Sequence, residues 1–221
     1  VDDPGTESLG GSDGEVDTKV DPSGDIFFKV LPSLTASFTA NTNVSETEAD
    51  DRKVNFSRFA IGFPEKRNFF LQDALIFEFA ELTDDFTGTP SNRQPFFSRR
   101  IGIGQPDPDV DQFVSSDIVV GGKVTGRVNR FKIGLLHTLV EEFEGIDRQQ
   151  LSVGRLAANV LDESTLGFIV THGDPLSNED NTLIGFDFNY RNSAYGGNRS
   201  VTASAWGQSS FSSGVDSNQS A

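Results

Sequence analysis

The feature that most constrains this chain is a two-residue alternation through residues 117–140. In "DIVVGGKVTGRVN" (117–129), Ile118, Val120, Val124 and Val128 share one side, and Lys123, Thr125, Arg127 and Asn129 share the other. In "RFKIGLLHTLV" (130–140), the apolar side is Phe131, Ile133, Leu135 and Leu139. Successive side chains of a strand point to opposite faces, so this period predicts strands with one oily and one polar face. The pattern recurs on either side. Leu34, Ala36, Phe38 and Ala40 alternate with Thr35, Ser37, Thr39 and Asn41, and residues 53–63 have the same texture less cleanly. Later, Leu166, Phe168 and Val170 share a face. Ile184, Phe186, Phe188 and Tyr190 stand against Gly185, Asp187, Asn189 and Arg191, and Val201, Ala203 and Ala205 stand against Thr202, Ser204 and Gln208.

The connectors between these runs alternate in length. "VNRF" and "LDES" are tight and "SAYGGN" is short, whereas "EEFEGIDRQ" and "GDPLSNEDN" are long. The long ones also hold acids: Glu141, Glu142, Glu144 and Asp147 in one, Asp174, Glu179 and Asp180 in the other. Transmembrane β-barrels are built this way, with short turns at one end, long loops at the other and strands of roughly 9–11 residues. The face opposite the oily stripe is Gly, Ser, Thr and Asn with an occasional Arg, Lys or Asp, which suits a crowded hydrated lumen. A soluble sandwich or lipocalin-like barrel is the alternative, because its strands also have one apolar face.

Composition narrows the classes. A net charge of −15 over 221 residues argues against a nucleic-acid partner. Cysteine is absent, which excludes disulfides and thiolate metal sites. Methionine is absent too, so the chain is expected to begin after a processing site or to be a piece of something longer. No apolar run approaches the roughly 20 residues of a membrane-spanning helix.

Residues 1–24 are acidic, rich in Gly, Ser and Asp, and read as a flexible loop or tail. Residues 25–64 are expected to hold the first barrel strands, and 117–210 a β-meander. Residues 211–221 read as a loop or truncated end. Between the strand regions, residues 65–116 have no clean period, carry Pro, paired aromatics and clustered charge, and read as an irregular insertion folded into the lumen.

That middle region carries a resemblance. "NFSRFAIGFPEKRNFFLQDALIFEF", then "PFFSRRIGIG", then "GGKVTGRVNRFKIGLLHTL" resemble, in order, the blocks of a bacterial outer-membrane family catalogued as domain of unknown function family 5916. In that family a large C-terminal β-barrel region follows a carbohydrate-binding module of the family-nine type. The resemblance covers roughly residues 25–207. The sequence departs from the family pattern at Asn43-Val44, at Asn68 and at Gln72-Asp73. No such module precedes these blocks here, and the ending "DSNQSA" lacks the usual terminal aromatic. The expectation is the front part of a longer barrel.

The sharpest site candidates are Glu65, Lys66, Arg67, Arg99 and Arg100. On an in-folded loop they would either line a pore and meet an anionic or sugar ligand or pin the loop to the wall through internal ion pairs. Phe69, Phe70, Phe96 and Phe97 read as its aromatic anchors. Asp107, Asp109 and Asp111 are weak calcium candidates, lacking the Gly and distal Glu of an EF-hand loop; Glu46, Glu48, Asp50 and Asp51 form another acidic patch. Gly102 and Gly104 lack the βαβ setting of a nucleotide loop. His137 and His172 read as packed or lumen-facing residues, and no catalytic residue is singled out.

The reading is an all-β, antiparallel up-and-down meander, part of a transmembrane outer-membrane β-barrel with a long irregular insertion. Its long acidic loops face the cell exterior. Its expected partners are the lipid bilayer and lipopolysaccharide, an oligosaccharide, and other chains or the rest of its own barrel. No cofactor is expected beyond the weak calcium sites. The expected role is non-catalytic passage, docking or surface display linked to carbohydrate. The alternatives are a secreted soluble β-sandwich that binds carbohydrate and a glycoside-hydrolase-associated domain whose acids share a cleft.

Overall fold

Each alternating run that falls within the described residues becomes a strand. The structure, a computed structural model, describes residues 22–42, 65–82, 94–107, 112–143, 145–197, 199–213 and 218–220. The strands are β1 (Gly24–Leu31), β2 (Leu34–Thr42), β3 (Ile103–Asp107), β4 (Gln112–Ser115), β5 (Ile118–Val128), β6 (Phe131–Val140), β7 (Gln149–Val160), β8 (Ser164–His172), β9 (Asn181–Tyr195), β10 (Arg199–Ser212) and β11 (Asn218–Ser220). Nine of them form one sheet in the order β1-β2-β5-β6-β7-β8-β9-β10-β11, and every neighbouring pair is antiparallel. The chain is an all-β up-and-down meander. Its sheet is open, with β1 and β11 at the edges.

The alternation of connectors becomes a polarity of the sheet. At one end lie the tight turns: Pro32-Ser33, Asn129-Arg130, Leu161–Glu163 and the Gly196-Gly197 turn. Asn129, Leu161, Gly196 and Gly197 all take positive φ there, the backbone such reversals require. The longer links 141–148 and 173–180 lie at the other end, where the chain also leaves β2 and enters β5.

Register sorts the side chains into two unlike faces. Ala36, Val124, Leu135, Gly154, Val170 and Ile184 are successive cross-strand partners on the outer face. So are Ile133, Leu156, Phe168 and Phe186. This face is open: Phe38, Leu135 and Phe186 are 54%, 54% and 58% exposed. The charged residues of β1, β2 and β5 to β9 (Asp25, Lys29, Lys123, Arg127, Lys132, Arg155, Asp187 and Arg191) all fall on the opposite, inner face. There Lys123, Arg155 and Asp187 are buried, at 3%, 5% and 2% exposure.

Burial of the inner face comes from residues 65–82 and 94–102, which supply half of the buried apolar cluster. Phe69, Phe70, Phe77, Phe79 and Ile101 cluster with Ile118, Leu136, Leu151, Val153 and Ile169 of the strands. This region is less irregular than its sequence suggests. It contains a one-turn helix, α1 (Asn68–Leu71), two 3₁₀ turns (Ala74–Phe77 and Ser98–Arg100) and the separate β3-β4 pair.

Other expectations need correcting. Ile118 does not join the outer stripe. The pairing of β5 with β6 slips between Ile118 and Val120, a bulge that turns Ile118 inward, where it is fully buried opposite Val140. His137 and His172 are exposed on the outer face instead of facing a lumen; their Nδ1 atoms lie 2.8 Å from Ser152 Oγ and 2.9 Å from Thr182 Oγ1. Within 211–221, β10 continues to Ser212 and β11 pairs with its edge. The strand expected at 53–63 and the acids Glu46, Glu48, Asp50 and Asp51 lie outside the described residues.

Candidate functional site

The inner segment is seated through glycines. In a strand, a residue without a Cβ leaves a hollow into which another group fits closely. A Cβ on Gly121 would stand 3.3 Å from Phe69 Cε1, one on Gly134 2.9 Å from Phe77 Cε1, and one on Gly185 3.0 Å from the Phe79 ring. At Gly167 it would overlap the side chains of Arg155 and Asp187. The small residues of the polar face are therefore sockets for particular side chains.

Polar groups fix the register of the segment over these sockets. Lys123 Nζ donates to the carbonyl oxygens of Phe69 and, at 2.5 Å, of Gln72, at the C-terminal end of α1. Thr125 Oγ1 donates to Asp73 Oδ2 at 2.8 Å. Further along, Arg155 and Asp187 make a two-pronged pair at 2.5 and 2.9 Å. Asp187 Oδ2 also accepts from the Ala80 amide at 3.2 Å and from Asn189 Nδ2 at 3.3 Å. The guanidinium of Arg155 lies 5.7 Å from the centre of the Phe79 ring, and Phe79 meets Trp206 edge-on at 6.2 Å.

The predicted cluster Glu65, Arg67 and Arg99 lies within the segment itself. Arg67 donates to Glu65 through Nε and Nη2, both at 2.8 Å, to the Ile101 carbonyl at 2.7 Å and to the Ser98 carbonyl at 2.8 Å. It therefore ties residues 65–67 to residues 98–101. Burial opposes ionisation of Glu65 most strongly. The hydrogen bonds and charge of Arg67, with a hydrogen bond from Ser98, outweigh burial and hold its carboxyl below the usual range. Arg99 is buried, Lys66 half-buried and Arg100 exposed. Phe69 and Phe70 are buried anchors in edge contact at 4.9 Å; Phe96 and Phe97 are half-buried, and Phe96 tilts against Phe77 at 5.5 Å. For Arg67, every nitrogen is engaged with protein oxygen, which is the pinning arrangement. Of the calcium candidates, Asp107 ends β3, and Asp109 and Asp111 lie outside the described residues.

The region that sequence reasoning missed is a cleft of about 220 Å³ between residues 75–81 and the inner face of β6 to β10. Its charged lining comprises Glu78, Glu81 and Glu163 with Lys132, Arg155 and Arg191. Burial, then the nearby Glu81 carboxylate, push the Glu78 carboxyl above its usual value. Glu163 sits on the β7-β8 turn. Hydrogen bonds from the Ser193 hydroxyl and amide draw its carboxyl below the usual value. Arg191 and Glu81 approach to 3.8 Å at the open rim. The signal available in the sequence was the isolated charge on an otherwise small-residue face: Lys132, Arg155, Asp187 and Arg191.

Neither a family model, nor a curated protein, nor a solved structure matches this chain.

Proposed function

We propose that the chain forms part of the wall of an outer-membrane β-barrel, with residues 65–82 and 94–102 lodged on its lumenal side as a plug. Its role is non-catalytic: docking, passage or surface display at the bacterial cell surface. The observation that carries this reading is the inversion of the usual soluble arrangement. The apolar face of the sheet is uncovered, while on the opposite face Lys123, Arg155 and Asp187 are buried beside residues 65–82. Soluble monomers rarely leave contiguous apolar patches beyond about 300–600 Å², whereas this stripe crosses the sheet from Ile26 on β1 to Phe186 on β9. Strand length supports the same solvent. β2, β5, β6, β7 and β8 have 9, 11, 10, 12 and 9 residues, close to the roughly 9–11 a tilted transmembrane strand needs.

Hydrocarbon does not tolerate unpaired sheet edges, so β1 and β11 require partner strands, supplied by the same polypeptide or another. The acid-bearing links at the far end from the tight turns are the exterior loops, beside lipopolysaccharide. The sequence resemblance to the outer-membrane family points the same way. Paired-carboxylate hydrolysis draws less support: Glu78 and Glu163 do share the cleft, but Glu163 is fully exposed on a turn, without the water exclusion that sharpens acid–base chemistry.

Cell fractionation tests the reading. The protein should pellet with envelopes, resist a high-salt wash and come into solution only with detergent. Recovery as a soluble monomer without detergent would contradict it.

A further inference from the structure

We infer that a hollow on the outer face seats one phosphate-bearing lipid, with its phosphate on His137 and Ser152 and the start of an acyl chain against Gly122 and Gly154. The inference rests on the barrel reading, because it needs that face to meet a bilayer. Shape comes first. Gly122 on β5 and Gly154 on β7 interrupt the outer apolar stripe, and around them lies a hollow of about 370 Å³ walled by Phe38, Val124 and Leu135. A Cβ on Gly122 would stand 3.7 Å from the Phe38 ring, an ordinary contact, so no side chain of this chain fills the space. The inner-face glycines differ, because Phe69, Phe77 and Phe79 already occupy their hollows.

Polarity comes second. His137, Ser152, His172 and Thr182 are successive cross-strand partners on the outer face. This row lies one step nearer the long links than the row of Val124, Leu135, Gly154 and Val170. His137 and Ser152 also line the hollow. The hollow is therefore polar toward the long links and apolar toward the tight turns, the order of groups in a lipid of the leaflet beside those links. Polar side chains facing hydrocarbon without such a partner cost free energy.

Charge selects the headgroup. From β5 to β9 the outer face carries no Asp, Glu, Lys or Arg, and its basic groups are His137 and His172. A cationic headgroup meets no carboxylate there, whereas a phosphate meets an imidazole. His137 Nδ1 lies 2.8 Å from Ser152 Oγ, and its Nε2 has no hydrogen bond among the described residues. With both ring nitrogens protonated, Nδ1 donates to the hydroxyl, and Nε2–H and the hydroxyl hydrogen are left as two donors for phosphate oxygens. The His172 end suits an anion less: Asp174 and Asp180 each lie two residues from His172 and Thr182. Glu141 is four residues from His137, and Arg148 is four from Ser152. The hollow and the weaker acidic field thus fall at the same end of the row.

The test uses the full chain, isotope-labelled, in micelles of a phosphate-free maltoside detergent. The chain has two histidines, so long-range proton–nitrogen spectra of the imidazoles report on the row directly, and the signal lost in His137→Gln identifies His137. The probes are dihexanoylphosphatidic acid, inorganic phosphate as the head alone and dihexanoylglycerol as the chains alone. The expected result is a saturable shift of the His137 signal with phosphatidic acid and a much weaker response to either half. Gly122→Leu, which fills the hollow, should abolish the shift. Ser152→Ala, which removes a donor without adding bulk, should weaken binding roughly five-fold. Thr182→Val, at the far end of the row, should leave it unchanged. Absence of a saturable shift overturns the inference, as does an equal response to inorganic phosphate or a shift indifferent to both Gly122→Leu and Ser152→Ala. A lipid-free dimer in micelles that Gly122→Leu dissociates would give the hollow to a second copy and overturn it too. Failed lipid binding by a protein that still fractionates with envelopes removes this site alone; recovery as a soluble monomer without detergent removes the barrel reading and the site with it.

Discussion

Replacing Asp187 by Ala is expected to lower folding stability by about 3–5 kcal/mol, the range for breaking one side of a buried ion pair. Asp187 is 2% exposed and Arg155 5% exposed, so the loss strands a guanidinium beneath the Phe79 ring. The same substitution removes the acceptor for the Ala80 amide, one of the bonds that hold the inner segment in register. Asp187→Asn should cost less than Asp187→Ala, because it keeps an acceptor near Ala80. Removing both charges together, as Arg155→Met with Asp187→Leu, should cost far less than the sum of the single changes, because no uncompensated charge remains. The measurement is urea unfolding in detergent, followed by Trp206 fluorescence. Additive losses in the double variant would show that the pair is not the anchor described here.

The second large effect belongs to the other face. Val124→Arg places a cation between Ala36 and Leu135 on the uncovered apolar side. In lipid it should cost about 2–4 kcal/mol if Val124 lies near the bilayer midplane. In water the same change at this half-buried strand position should cost about 1 kcal/mol or less. Leu161→Arg is the control. Leu161 is as apolar and is 73% exposed, but it sits on a tight turn beyond the strand ends. It should change stability little in either medium. Folding titrations of both variants into phosphatidylcholine vesicles give the comparison. A Val124→Arg penalty no larger than that of Leu161→Arg would remove hydrocarbon from the account.

What the sequence made legible was what strand geometry fixes locally. Alternation at Val120, Val124, Leu135 and Phe186 gave the outer face correctly, because parity persists along a strand wherever pairing is regular. Parity failed at Ile118, where a bulge supplies an extra residue; alternation carries no mark of that event. The connector lengths foretold the two unlike ends of the sheet for the same local reason. The site was less accessible. Lys123 meets carbonyls 51 and 54 residues away, Arg155 pairs with Asp187 across 32, and Ala80 donates to Asp187 across 107. No period connects such positions. Glu65, Arg67, Phe69 and Phe70 stood out because they are clustered in sequence. The sockets Gly121, Gly134, Gly167 and Gly185 were visible only as a generally small inner face, without indicating which aromatic fills which hollow. His137 and His172 were misplaced because polarity alone suggested the polar side, while their hydroxyl partners on neighbouring strands let them lie on the oily one.

The medium that meets the outer face can be measured directly. The chain has no cysteine, so single cysteines at Leu135, Leu156 and Leu166, and at Leu161 for reference, can each carry a nitroxide without background labelling. Power-saturation EPR in vesicles then compares collisions with oxygen, which concentrates in hydrocarbon, against those with a water-soluble nickel chelate. The three strand labels are expected to favour oxygen and exclude the chelate, while the Leu161 label admits the chelate. Equal access of the chelate to all four positions would place the outer face in water and end the membrane assignment.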